Sequence, residues 1–204
     1  MKEREHIYCL DFDGTLTTQD TLLAFIAYVH GGAKLFRTLL RYSPWLVGMK
    51  LGLYPNWAAK QRIFSHLFRD MPLDIFDRHC RDFAAGNSHL VRPMARHFLH
   101  TLLAERKKVI IISASIENWV KPFFAEIDTE NAITVLGTRV EVKNGKLTGR
   151  FLTANCYGQE KVRRLEAILP LPRERYFISA YGDSRGDKEL LDYADKGHFK
   201  PFRR

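Results

Sequence analysis

Two pairs of aspartates, each in a turn-like stretch behind an apolar run, are the residues of this sequence best suited to chemistry. Asp11 and Asp13 stand in "DFDGT" at the end of "HIYCLDF", and Asp183 and Asp187 stand in "GDSRGD" at the end of "RYFISAYGD". Apolar runs of this length read as buried strands, and open α/β sheets gather their ligands beyond the carboxyl ends of the strands. Residues two apart share a face of an extended strand, but past its end the turn aims each one separately. Four carboxylates at one sheet edge repel one another, so a cation is their natural complement. Oxygen ligands suit Mg²⁺, which keeps waters and takes one or two carboxylates together with a substrate phosphate. Each Asp taken singly also fits an ordinary turn or cap; it is the two pairs at strand ends that argue for a site.

Such a site needs a sheet to hold it, and the remaining pattern supplies one. "RPMARHFLHTLLAERKK" reads as a helix entered through Pro93, and "VIIISAS" as a continuous apolar strand of the kind parallel sheets bury on both faces. "IENWVKPFFAEI" is a helix kinked at Pro122, and "AITVLGTRVEVKNGKLTGRFLT" is strand broken by the hairpin signal Asn144-Gly145. "GQEKVRRLEAIL" and "DKELLDYAD" are helices around the strand "RYFISAYGD", and "GHFKPF" is a last short strand. Strand and helix alternating after residue 90 predict a parallel, Rossmann-like α/β sheet. Between residues 20 and 88 the pattern is all helix, with Asp20 as the first N-cap and further helices at about 33–42, 44–53, 56–69 and 73–85. The predicted organisation is a core of residues 1–19 and 89–204 with a helical cap, 20–88, inserted after the first strand.

Composition bounds the partners. The 204 residues are 46% hydrophobic and 27% charged, and 32 Lys and Arg against 23 Asp and Glu give +9. That surplus favours phosphorylated ligands, anionic lipid or nucleic acid without choosing among them, and it is equally compatible with a plain solvated surface. Cys9, Cys80 and Cys156 form no close pair and no metal spacing, so they read as reduced thiols, with Cys9 in the core. The segment before Asp11 lacks an uninterrupted apolar stretch of the signal-peptide type, which predicts a cytoplasmic location. "LFRTLLRYSPWLVGMKLGLY" (35–54) is interrupted by Arg37, Arg41, Pro44 and Lys50; it falls short of a membrane span but suits a helix lying on a membrane.

Two further motifs complete a recognisable set. "ISASIENW" (111–118) ends an apolar strand at Ser113 ahead of a helix, with Ser115 read as the N-cap of that helix. Lys161, in "GQEK", follows a glycine-containing loop at the start of another helix. With "DFDGT", Ser113, Lys161 and "GDSRGD" in this order, the chain resembles the haloacid dehalogenase-like superfamily of phosphohydrolases, from about residue 6 to its end. The resemblance implies that Asp11 is the nucleophile and that Mg²⁺ is held by Asp11, the backbone carbonyl of Asp13 and Asp183. It further implies that Asp13 protonates the leaving alkoxide and then activates water, and that Ser113 binds a phosphoryl oxygen. Lys161 would offset the repulsion between Asp11 and phosphate, and Asp187 would hold Lys161 or metal-bound water. Asp13 itself selects among relatives, because a carboxylate two residues after the nucleophile favours turnover of oxygen esters. A large helical cap after the first motif is similar to the phosphoserine-phosphatase-like branch.

Substrate choice belongs to the cap. Asp20 falls where phosphoserine phosphatases carry a glutamate that binds the substrate amine; here the acid is shorter and its capping role is the simpler one. The cap carries Trp45, Leu46, Val47, Met49, Leu51, Leu53 and Trp57 among Lys34, Arg37, Arg41, Lys50, Lys60 and Arg62. Two expectations stand side by side: these apolar residues pack the cap's own bundle, or they form an interfacial face on anionic lipid. The order "YGQEKVRRL", "YGDSRGDKELL", "HFKPF" resembles a bacterial subgroup that includes phosphatidylglycerophosphatase C, which implies a phospholipid phosphomonoester as substrate. A soluble ester such as phosphoserine or a sugar phosphate is the alternative. A non-catalytic basic binding module is the reading from another class. It requires a broken catalytic set, and the sequence lacks the aromatic–basic signatures of nucleic-acid-binding folds, so no nucleic acid is expected.

Overall fold

The computed structural model describes residues 4–203. Five parallel strands, β1 (Glu5–Leu10), β2 (Lys108–Ile116), β3 (Ile133–Thr138), β6 (Tyr176–Gly182) and β7 (Lys196–Phe199), form one sheet in the order β3-β2-β1-β6-β7. A separate antiparallel hairpin joins β4 (Val140–Lys143) to β5 (Lys146–Phe151). In the register of the sheet Cys9 lies between Ile110 and Ala180. The side-chain period of two then sorts the strands onto two cores. Ile7, Cys9, Ile110, Ile112, Ile178 and Ala180 face α8 (Gln159–Ile168) and α9 (Lys188–Tyr193), while Leu10, Val109 and Ile111 face α6 (Pro93–Ala104). A sheet covered on both faces explains why these strands read as unbroken apolar runs. The expected α/β class, element order and parallel sheet are all present.

Between β1 and α6 the chain forms α1 (Thr21–His30), α2 (Gly32–Arg41), α3 (Ser43–Lys50), α4 (Asn56–Phe68) and α5 (Leu73–Gly86). Asp20 caps α1 by accepting from the Leu22 amide at 2.9 Å, as its position in the sequence predicts. The interior of this layer is aromatic. Phe25 stacks on Phe68 and on Trp119, with ring centroids 5.6 and 5.0 Å apart, and meets the edges of Phe76 and Phe83. Trp119 belongs to α7 (Glu117–Val120), so this cluster seats the helical layer against the β2 end of the core. The hairpin docks on the same layer: Asp70 donates to the Leu147 carbonyl at 2.8 Å, Leu147 to Met71 at 2.9 Å and Phe151 to the Gln61 side chain at 2.9 Å. Its turn is the predicted Asn144-Gly145, both at positive φ (51° and 72°), as a two-residue hairpin requires.

The apolar residues of the cap divide between the two expectations. The interior of the bundle is built from the phenylalanines of α1, α4 and α5, and Trp45, Leu46 and Met49 are half-buried at its side. Leu46 packs partly against that core, but α3 buries no residue fully, and Val47, Leu51, Leu53 and Trp57 are 54%, 67%, 80% and 50% exposed.

Candidate active site

The site forms where β1, β2 and β6 end. Asp11 leaves β1 with its amide bonded to the Tyr181 carbonyl at 2.9 Å, which ties the two aspartate-bearing strands together at the point of departure. The chain then turns tightly through Phe12–Leu16, closed by the Thr17 amide on the Phe12 carbonyl at 3.0 Å. Gly14 is required here: its φ is 77°, and a Cβ would sit 2.6 Å from Asp183 Oδ2. The turn thus brings the backbone after Asp13 directly against the acid of β6.

Lys161 reaches in from the first turn of α8 and is 1% exposed. Its ammonium donates to Asp11 Oδ1 at 2.6 Å, Asp187 Oδ1 at 2.5 Å and the Ile112 carbonyl at 2.8 Å, which satisfies all three of its donors. Burial alone lowers a lysine pKa, yet the charges of Asp11 and Asp187 outweigh it and raise the pKa above the ordinary value. Burial pushes Asp11 up to about 7 against the pull of Lys161, with Asp187 and Asp13 adding to the rise. Asp187 goes the other way. Burial opposes its carboxylate, but Lys161 and the donors of Ser184 prevail and lower its pKa. Its Oδ2 accepts from the Asp183 and Ser184 amides and the Ser184 hydroxyl at 3.1, 3.0 and 2.8 Å.

Carboxylate oxygens of Asp11, Asp183 and Asp187 lie within 4.8 Å of one another. Hard oxygen donors at this spacing fit a small divalent cation such as Mg²⁺. Both oxygens of Asp187 are already engaged by Lys161 and by the 183–184 loop, so Asp11 and Asp183 are the carboxylates placed to ligate. Asp183, its pKa raised by burial and by Asp187, is met by the Arg203 guanidinium at 2.6 Å.

The Asp13 carboxylate lines the same cavity and is held by other partners. Oδ1 accepts from the Thr21 amide and hydroxyl at 2.7 and 2.6 Å, and Oδ2 accepts from the Ser115 hydroxyl at 2.5 Å. Trp119 in turn donates to the Thr21 hydroxyl at 3.2 Å. Ser115 is therefore not the expected N-cap. Strand β2 runs on to Ile116, the helix starts at Glu117, and its N-cap position, Ile116, makes no side-chain cap. A charge-assisted bond to a carboxylate is stronger than a neutral cap and holds the serine in the strand. For the same reason Ser113 does not directly precede a helix N-terminus. It is 1% exposed, and its oxygen accepts from the Ser115 amide at 3.0 Å.

Asp11, Asp13, Asp20, Ser113, Lys161, Asp183 and Asp187 all line one cavity of about 300 Å³. Asp20 still meets solvent, but partial desolvation and the neighbouring Asp13 raise its pKa, and Lys60 opposes them. The sequence reading did not single out Thr21, Ser115 as a partner of Asp13, Tyr157 or Lys60 as lining residues, or Arg203. Ser115 carried a usable signal, since residues 113 and 115 share a face of one strand. Lys60 and Arg203 carried none, because only the tertiary fold brings them to the site.

A parallel sheet with an acidic, lysine-bridged pocket at the ends of its first and fourth strands, partly roofed by an inserted helical layer, defines the class of fold. Residues 9–192 match the haloacid dehalogenase-like hydrolase family, and the chain belongs to that family. It is 29% identical over 199 residues, 97% of this chain and 86% of the other, to Protein CicA of Caulobacter vibrioides. Among solved structures it is similar to a protein of unknown function from Bordetella pertussis, with a TM-score of 0.78, 17% identity, and coverage of 93% of this chain and 86% of that one. A probable phosphoserine phosphatase from Vibrio cholerae shares the fold at a TM-score of 0.65 and 16% identity, over 94% of this chain and 54% of that chain.

Proposed function

We propose that the protein is a Mg²⁺-dependent phosphomonoester hydrolase working through an aspartyl-phosphate on Asp11. The observation that carries this reading is the buried Asp11–Lys161–Asp187 array with Asp183 beside it, opening on one cavity. Asp11 attacks phosphorus, and the bond to the ester oxygen breaks. Asp13 gives a proton to the departing alkoxide. It then takes a proton from the water that attacks the acyl phosphate, releasing inorganic phosphate and restoring Asp11. Ser115 and Thr21 hold the Asp13 carboxyl in place for both transfers. Ser113 offers its hydroxyl to a phosphoryl oxygen. Lys161 keeps the nucleophile oriented and reduces its repulsion with the incoming dianion. Mg²⁺, held by Asp11, the Asp13 carbonyl and Asp183, would supply the remaining neutralisation of phosphate charge.

For the substrate, a phospholipid phosphomonoester such as phosphatidylglycerophosphate is the reading that the exposed apolar and basic residues of the cap support. A small soluble ester, such as the phosphoserine of the Vibrio cholerae protein's name, is supported by the modest cavity with Asp20 and Lys60 among its lining residues. Acid quenching during turnover should leave phosphate on a hydroxylamine-sensitive carboxylate in the peptide containing Asp11; turnover with no such adduct would remove the covalent route. Phosphate release from phosphatidylglycerophosphate vesicles, compared with soluble phosphomonoesters, decides between the two substrate classes.

A further inference from the structure

From Thr21 to Arg69 the chain contains no Asp or Glu, while Lys or Arg occupies seven positions. The same segment carries large apolar side chains in water. Phe36 and Leu40, one turn apart on α2, are 67% and 65% exposed, and Val47 on α3 and Leu51 at its C-cap are 54% and 67% exposed. Leu53, just beyond α3, is 80% exposed. Lys34, Arg37, Arg41 and Lys50 are exposed among them and make no ion pair among the described residues. Neighbouring exposed apolar residues rimmed by charge mark a docking surface rather than scattered surface positions.

We propose that α2, α3 and the turn after them dock on the surface of an anionic bilayer. Phe36, Leu40, Leu51 and Leu53 enter the boundary between headgroups and acyl chains, and the bases meet lipid phosphates. The charge pattern selects this occupant. A second copy on the same face would set one acid-free, basic segment against another. A nucleic acid would match the bases but leave the aliphatic side chains without a partner. No helix of the described residues is long and apolar enough to cross a membrane, so the contact lies along the interface.

The test is vesicle flotation of the full chain, with phosphatidylcholine alone and with phosphatidylcholine containing phosphatidylglycerol. The protein should float with the anionic vesicles, less so as salt rises. Arg37→Gln with Arg41→Gln should weaken partition roughly thirtyfold, from about 1 kcal/mol for each base near the surface. Phe36→Glu with Leu40→Glu should abolish flotation while leaving turnover of a soluble phosphomonoester and the thermal midpoint unchanged. The proposal is overturned if the wild type ignores both vesicles, if the glutamate variant floats like the wild type, or if the wild type forms a lipid-free dimer that the glutamates dissociate. Docking is independent of the chemistry proposed above, and Asp11→Asn should float like the wild type. Loss of docking with intact turnover would sink the surface alone, and docking without any ester hydrolysis would sink the hydrolase reading alone.

Discussion

Lys161 holds two buried carboxylates that would otherwise repel each other, so its replacement separates structure from chemistry. Lys161→Met leaves Asp11 and Asp187 without their shared cation and should cost about 3–5 kcal/mol, read as a lowered thermal midpoint. Asp11→Asn removes one of those charges and should leave a folded protein. Ser113→Ala should be milder, lowering kcat by about 10²-fold through loss of one donor to phosphate. Equal losses from Ser113→Ala and Asp11→Asn would contradict their assigned roles. Ser115→Ala should lower kcat by about tenfold with little change in KM, because it frees the general acid rather than the phosphate site. The Asp11 pKa of about 7 also predicts how the metal site titrates. A cation there displaces a proton, so Mg²⁺ affinity measured by calorimetry should fall about tenfold for each pH unit below 7 and level off above it. At this scale the gathering of Asp11, Lys161 and Asp183 in one cavity was legible because their motifs sit at strand and helix ends, and Ser113 joins them although its strand runs on to Ile116. The second role of Ser115 was hidden, because a cap and a carboxylate partner use the same serine.

Among the elements, β6 and its neighbours depend on an acid outside the active site. Asp195 accepts from the Ile178 amide at 2.8 Å, from Arg173 at 2.7 Å and from Arg4 at 2.6 Å. Partial burial works against its charge, but the amide and the two guanidiniums prevail and lower its pKa to about 2. A carboxyl whose folded pKa lies below its unfolded one stabilises the fold above the unfolded value, near 4, and loses that contribution as pH falls toward 2. Asp195→Asn should therefore destabilise the fold by about 1–2 kcal/mol at neutral pH, and the gap should narrow between pH 4 and 2 in denaturant titrations. The strands and most helices could be read from the sequence because burial on both faces leaves long apolar runs and because Pro93, Asp20 and Asn144-Gly145 punctuate them. The end of β2 could not, since the strand continues past Ser113 with shifted pairing to β3 and without an apolar marker. The docking of the hairpin on α4 was equally hidden, because backbone bonds such as Asp70 to Leu147 leave no trace in residue type.

At the scale of the whole molecule the charge is unevenly placed, with a basic, acid-free stretch in the helical layer and a concentration of buried acid at the sheet edge. The sequence displayed the apolar and basic residues of the cap, but their fate depended on whether the phenylalanines of α1, α4 and α5 would fill the bundle without them. They do so with only Leu46 of that set packed against them, which leaves Phe36, Leu40, Val47, Leu51 and Leu53 exposed. The proposed hydrolase reading joins these scales: the sheet sets the acids, the lysine restrains them, and the helical layer would meet the remainder of the substrate. Phosphate release from a phosphomonoester by the wild type and Asp11→Asn, each with Mg²⁺ and with EDTA, tests that reading most directly. Release by the wild type with Mg²⁺ alone, reduced by at least about 10³-fold in Asp11→Asn, is the expected result. Equal release by the variant, or release undiminished by EDTA, would contradict it.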